Sequence, residues 1–304
     1  MKTRYLVSLL ALSAAAALAL TGCSADAAGS PASSTDGLSV VASTNVYGDI
    51  AKTVAGDAVT VTSIMDNPDQ DPHSFEASAQ NQLAISKADI VIENGGGYDD
   101  FMDTMLKSAK SKAAVLNVVD ISGKKAQSGG ELNEHVWYDL PTIGKLTGEL
   151  VDALSKADSG QAATFKANGD AFLGELTKLQ GREADLKQKY AGEGAAITEP
   201  VPLFMLEAIG LENKTPNAFS EAIEEGTDVS PAVLKQTIDL FASGGVKLLA
   251  YNEQTSGPET EKVLSAAKSS GVAVVPVTET LPSGKDYISW MSGNLDAIAK
   301  ALGE

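Results

Sequence analysis

Only two histidines occur in 304 residues, and both fall in loops just beyond a predicted strand. His73 sits in QDPHSFE, after the apolar run at 58–65, and His135 sits in NEHVWYD, past a polar loop that follows the run at 114–121. In the second half, Glu199 closes GAAITE and Glu279 closes VAVVPVTE. Open parallel sheets bind ligands outside the carboxyl ends of their strands. These four side chains are therefore candidates for one shared cation, with two imidazoles from one half and two carboxylates from the other. Imidazole nitrogen and carboxylate oxygen together suit a divalent ion, and two glutamates offset its double charge. Among the acids beside the histidines, Asp139 is placed to accept the non-ligating N–H of His135 and fix its tautomer, and Asp71 or Glu76 to do so for His73. For each of these residues a solvated surface position is the competing reading.

The elements that must position them alternate along the chain. Strands are expected at 38–44, 58–65, 89–95 and 114–121, then at 194–199, 246–253 and 272–279. Helical patterns lie between them, near 47–56, 77–87 and 98–111, then near 201–210, 229–243, 257–269 and 285–302. Alternation of this kind predicts an α/β fold with mainly parallel sheets flanked by helices. Between the halves, 142–190 is strand-poor, and Phe165, Phe172, Leu176, Leu179 and Leu186 recur near helical spacing. A helix of about thirty residues there would span about 45 Å. The expectation is two lobes, 38–141 and 191–304, joined by a long rigid helical linker at 142–190, with the metal site in the cleft between them. A rigid connector limits hinge closure. No G-x-x-x-x-G-K-[ST] loop is present, so ATP hydrolysis by this chain is not expected. GGGYDD at 95–100 is a Gly-rich turn that fits no phosphate fingerprint.

The first residues have a different character. Lys2 and Arg4 precede an apolar run from Tyr5 to Leu20, too short for a comfortable membrane span, which gives an export signal over 1–22. LTGC then resembles the lipobox of bacterial lipoproteins, and Cys23, the only cysteine, is the residue that would carry lipid. With one cysteine no internal disulfide forms. Residues 23–37 are rich in Ala, Ser, Gly and Pro and read as a flexible tether. The formal net charge of −17 argues against nucleic acid or an anionic membrane surface as the main partner.

VVASTNVYGDIAKTVAG, then DNPDQDPHSFEASAQNQLAISKADIVIENGGGYDDFM and EHVWYDLP, resemble the metal-binding solute-binding proteins of bacterial ABC transporters. The resemblance runs over most of 38–303. It implies a receptor that carries manganese, zinc or iron to a membrane permease served by a cytoplasmic ATPase, anchored as a monomer on the outer face of the membrane. It implies His73 and His135 as the first two ligands, Glu199 as the third, and Glu279 at a place usually held by aspartate. Glu253, in YNEQTSG at another strand exit, competes with Glu279. SEAIEEGTDVSP at 220–231 also matches family text, and its Glu221, Glu224 and Glu225 read as loop or lobe-contact residues. The loop 122–134 contains no histidine, whereas zinc-specific members often carry a His-rich loop there, which tilts the expectation slightly to manganese over zinc.

Three other functions compete. A secreted metalloenzyme would use two histidines and a carboxylate with an open position, but four protein ligands without a spare base argue against it, so no enzymatic activity is expected. A surface adhesin needs no metal. A receptor for an organic solute wants aromatic walls, and aromatics make up 5% of this chain.

Overall fold

The structure is a computed structural model that describes residues 37–67, 75–126 and 132–304. The expected signal segment, Cys23, the tether up to residue 36, Asp71 and His73 lie outside the described residues.

The first half runs β1 (Leu38–Thr44), α1 (Asn45–Ala55), β2 (Val59–Met65), α2 (Ala79–Lys87), β3 (Ile90–Glu93), α3 (Asp100–Ala109), β4 (Ala114–Asn117) and α4 (Val118–Ser122). Its four strands are all parallel, in the order β2-β1-β3-β4. β3 is buried along its whole length, as a central strand covered on both faces must be, and its IVIE text is correspondingly apolar until the end. The run at 114–121 does not continue as a strand. At Asn117 the side chain accepts the backbone N–H of Asp120, which caps a helix and turns the chain away from the sheet.

Two helices follow, α5 (Leu140–Ala157) and α6 (Ala162–Tyr190). α5 starts at Asp139, whose carboxylate accepts from the backbone N–H of Thr142, with Pro141 in its first turn. α6 runs unbroken for 29 residues despite three glycines. Gly169 has a packing reason, because a Cβ there would approach Val151 Cγ2 of α5 to 2.6 Å. The absence of a side chain lets the two helices close on each other.

The second half repeats the first: β5 (Gly194–Ile197), α7 (Leu203–Ala208), β6 (Glu212–Asn213), α8 (Asn217–Glu224), α9 (Pro231–Ala242), β7 (Leu248–Asn252), α10 (Pro258–Ser269), β8 (Ala273–Val277) and α11 (Tyr287–Leu302). Again the sheet is parallel, in the order β6-β5-β7-β8. β6 is two residues long and has no apolar run, so periodicity gives no sign of it.

One hydrophobic cluster contains Val40 and Ile92 of the first sheet, Leu146, Phe165 and Leu176 of α5 and α6, Ile197, Leu248 and Val277 of the second sheet, and Trp290 and Leu295 of α11. Smaller clusters cover the other face of each sheet, around Val41, Val91 and Met102 and around Leu249, Phe241 and Val263. The described residues between 37 and 304 form one compact unit. No described helix is long and apolar enough to cross a membrane.

Candidate metal centre

His135 is fully buried at the start of a single 3-10 turn, Val136–Tyr138, between the first sheet and α5. Its ring stands edge-on to Trp137 and Tyr98, with centroids 5.1 and 6.0 Å away. Asn133 fixes the ring chemistry. Its Oδ1 accepts the backbone N–H of His135 at 3.0 Å and lies 2.8 Å from Nδ1. A backbone N–H is an obligatory donor, so the Asn133 atom facing it is the oxygen, and Nδ1 beside that same oxygen carries the ring hydrogen. In the neutral imidazole Nε2 is then the lone-pair nitrogen, the form a metal requires.

Sequence reasoning assigned that tautomer-fixing role to Asp139, which the structure uses otherwise. Its Oδ2 caps α5 through the backbone and hydroxyl of Thr142, while Oδ1 pairs with Lys124 at 3.1 Å. An asparagine two residues before a histidine carries little signal, because polar residues fill that loop.

Glu199 and Glu279 are both buried, with 2% and 1% of their surface exposed, and each lies two residues beyond the end of its strand, β5 or β8. Glu279 is held from several sides. Asn252 at the end of β7 donates its side-chain amide to Glu279 Oε1 at 2.8 Å, and Gln254 Oε1 accepts the Glu279 backbone N–H. Tyr98 is buried beside the Glu279 carboxylate, and burial, followed by that negative charge, raises the Tyr98 pKa well above the ordinary phenol value. Glu253, the rival residue, is exposed.

The segment bearing His135 reaches both glutamates' loops. Asn133 donates its side-chain amide to the carbonyl of Pro200, next to Glu199, at 3.2 Å. Tyr138 donates its hydroxyl to the carbonyl of Thr278, next to Glu279, at 2.8 Å. Tyr98 is delivered from the first half by Gly95, Gly96 and Gly97, all with positive φ, a conformation that glycine adopts without strain. Asp99 stabilises that turn by accepting the backbone N–H groups of Asn94 and Gly95, and burial raises its own pKa. GGGYDD therefore serves to bring a buried tyrosine into the electrostatic reach of the Glu279 carboxylate.

A further carboxylate faces His135. Glu224 Oε1, at the end of α8, lies 3.5 Å from Nε2. Ligand atoms of Glu134, His135 and Glu224 all fall within 4.8 Å of one another. Glu134 and Glu224 line a cavity of about 700 Å³ whose walls also include Lys124, Phe204, Glu207, Glu221 and Glu225. Helix geometry, not sequence, turns Glu224 inward. It stands four residues after the buried Ser220, and so on the inward stripe of α8.

Solved structures share the fold. The periplasmic zinc-binding protein TroA of Treponema pallidum superposes with a TM-score of 0.73 at 20% identity, over 88% of this chain and all of that one. A mutant of the laminin-binding adhesin Lmb of Streptococcus agalactiae gives 0.74 at 23% identity, over 88% and 100%. Among curated relatives, the manganese ABC transporter substrate-binding lipoprotein ScaA of Streptococcus gordonii is 25% identical over 99% of both chains. The manganese-binding lipoprotein MntA of Halalkalibacterium halodurans is 26% identical over 95% of this chain and 96% of its own. Residues 40–301 match the family described as the zinc-uptake complex component A, periplasmic, and to that family this chain belongs.

Proposed function

We propose that the protein is an extracytoplasmic receptor that captures a divalent transition metal ion, manganese or zinc, and delivers it to the permease and ATPase of an ABC importer. The observation that carries this reading is the bracketing of His135. Through Asn133, Tyr138 and Tyr98, the surroundings of one buried imidazole are tied to the loops of two buried carboxylates from the other sheet. His135, Glu199 and Glu279 would hold the ion, with His73 completing the set as the family resemblance implies. Two carboxylates balance the charge of a divalent ion, so the loaded site buries little net charge. Oxygen-rich donor sets suit manganese, while the general order of divalent affinities favours zinc in solution.

The family's role as a transporter component supports a binding protein over an enzyme, and the relatives named as lipoproteins support an anchor on Cys23. Lobes at 38–141 and 191–304 with a helical connector at 142–190, and a monomeric state, complete the proposal. Metal analysis of protein purified under controlled metal supply, with manganese and zinc in competition, tests it. One equivalent of divalent ion, lost in His135→Ala, is the expected result. Intact wild-type protein that takes up no divalent ion would overturn the reading.

A further inference from the structure

Glu224 and His135 come from separate parts of the fold, one from the end of α8 and the other from the turn before α5, yet their side chains meet at 3.5 Å. Asn133 holds the ring proton on Nδ1, so the Nε2 lone pair is directed at an anionic oxygen. An imidazole nitrogen and a carboxylate oxygen facing each other at this distance, with a second carboxylate in the same group, are donors of the kind that share a divalent ion. His135 is fully buried and the Glu224 side chain is only 14% exposed.

We infer that Glu224 is a further ligand of the transported metal, sharing the ion with His135 Nε2. The inference rests on the metal-receptor reading above and deepens it. With metal–nitrogen and metal–oxygen bonds of about 2.1 Å, a 3.5 Å separation of the donors subtends an angle of about 110° at the ion, that of a tetrahedral pair. Glu134, whose carboxylate joins the same group, and the cavity beyond it place Glu224 on the solvent side of His135. A carboxylate there meets an incoming hydrated cation before Glu279, which is 1% exposed. Glu224 thus exchanges water for protein oxygen early in capture and retains the ion afterwards. A proton could also bridge the two side chains, as an imidazolium–carboxylate pair, but then Glu224 would compete with metal and its removal would not weaken binding.

The test compares wild type, Glu224→Gln, Glu224→Ala and Glu221→Gln by chelator competition with Zn²⁺ and Mn²⁺, with circular dichroism to establish folding. Loss of a partner one step removed from a metal typically costs 10–100-fold in affinity, so both Glu224 variants should weaken binding at least tenfold. Glu221→Gln removes an equal charge from the same cavity and should stay within about twofold. Unchanged or tighter binding in the Glu224 variants, with wild type still taking up metal, overturns the inference and leaves the receptor reading standing. So does an equal loss in Glu221→Gln, which would reveal a general field effect. Wild type that binds neither ion overturns both. Carbodiimide footprinting of wild type gives an independent result that needs no variant. Zinc should protect Glu224 severalfold and leave Glu221 labelled, and equal labelling of Glu224 with and without zinc overturns the inference.

Discussion

The side chain of Asn45 forms a closed pair of hydrogen bonds with the backbone of Leu281. Its amide donates to the Leu281 carbonyl at 2.9 Å, and its oxygen accepts the Leu281 N–H at 2.9 Å. The pair ties the first turn of α1 to the loop carrying Glu279. In Asn45→Ala both backbone groups lose their partner, which costs about 1–3 kcal/mol. The melting temperature should fall by several degrees, and divalent-ion affinity should fall with it as the Glu279 loop loosens. Thermal melts of the metal-free protein and binding titrations check the two effects separately.

Asn133→Ala removes the acceptor that fixes the His135 ring. Nδ1 and Nε2 then compete for the ring hydrogen, and the productive tautomer is no longer enforced. Metal affinity should drop about 10–100-fold, with little change in stability beyond the lost Pro200 contact. Chelator competition measures the first quantity and calorimetry the second.

Glu279→Gln keeps the shape of a buried side chain but removes its negative charge. Divalent binding should weaken at least tenfold, whereas Glu253→Gln, at an exposed position, should bind as wild type does. Parallel titrations with Mn²⁺ and Zn²⁺ check the contrast. Equal loss in both variants would reassign the fourth ligand.

Glu183 lies buried on α6, and its Oε1 has no hydrogen-bond partner among the described residues. Burial, with a smaller push from the charge of Asp139, lifts its pKa from 4.5 to about 8. The folded state therefore holds a proton that the unfolded chain releases above pH ~4.5. Its contribution to stability is complete below that value and is lost as pH rises through about 8. Glu183→Gln mimics the protonated form and should flatten the pH dependence of melting between pH ~5 and ~8. At pH 8 the variant should melt higher by a few degrees, on the order of 1 kcal/mol. A series of melts across that range checks the sign.

Much of this was legible in the chain. The apolar runs marked seven of the eight strands among the described residues because buried parallel strands must be apolar on both faces, and Phe165 to Leu186 marked α6 through helical spacing. At 114–121 the apolar text misled, since Val118 and Val119 are buried from a helix as readily as from a strand, and only the cap at Asn117 decides between them. β6 owes its existence to pairing with β5 and to nothing in its own residues. Among the proposed ligands, the burial of His135, Glu199 and Glu279 could be anticipated because strand exits are where side chains of different elements meet. The placement of Asn133 and Glu224 could not, because each belongs to a polar stretch in which the residue that turns inward depends on backbone geometry. His73 and Asp71 lie outside the described residues, and Cys23 likewise.

The apolar cluster that takes in Val40, Phe165, Ile197 and Trp290 has a thermodynamic consequence. Because both sheets bury side chains in the same contiguous interior, neither half can melt without uncovering the other's. A single calorimetric transition is expected, with equal van't Hoff and calorimetric enthalpies. Cutting the chain between α5 and α6 would yield two sticky fragments in place of two working halves.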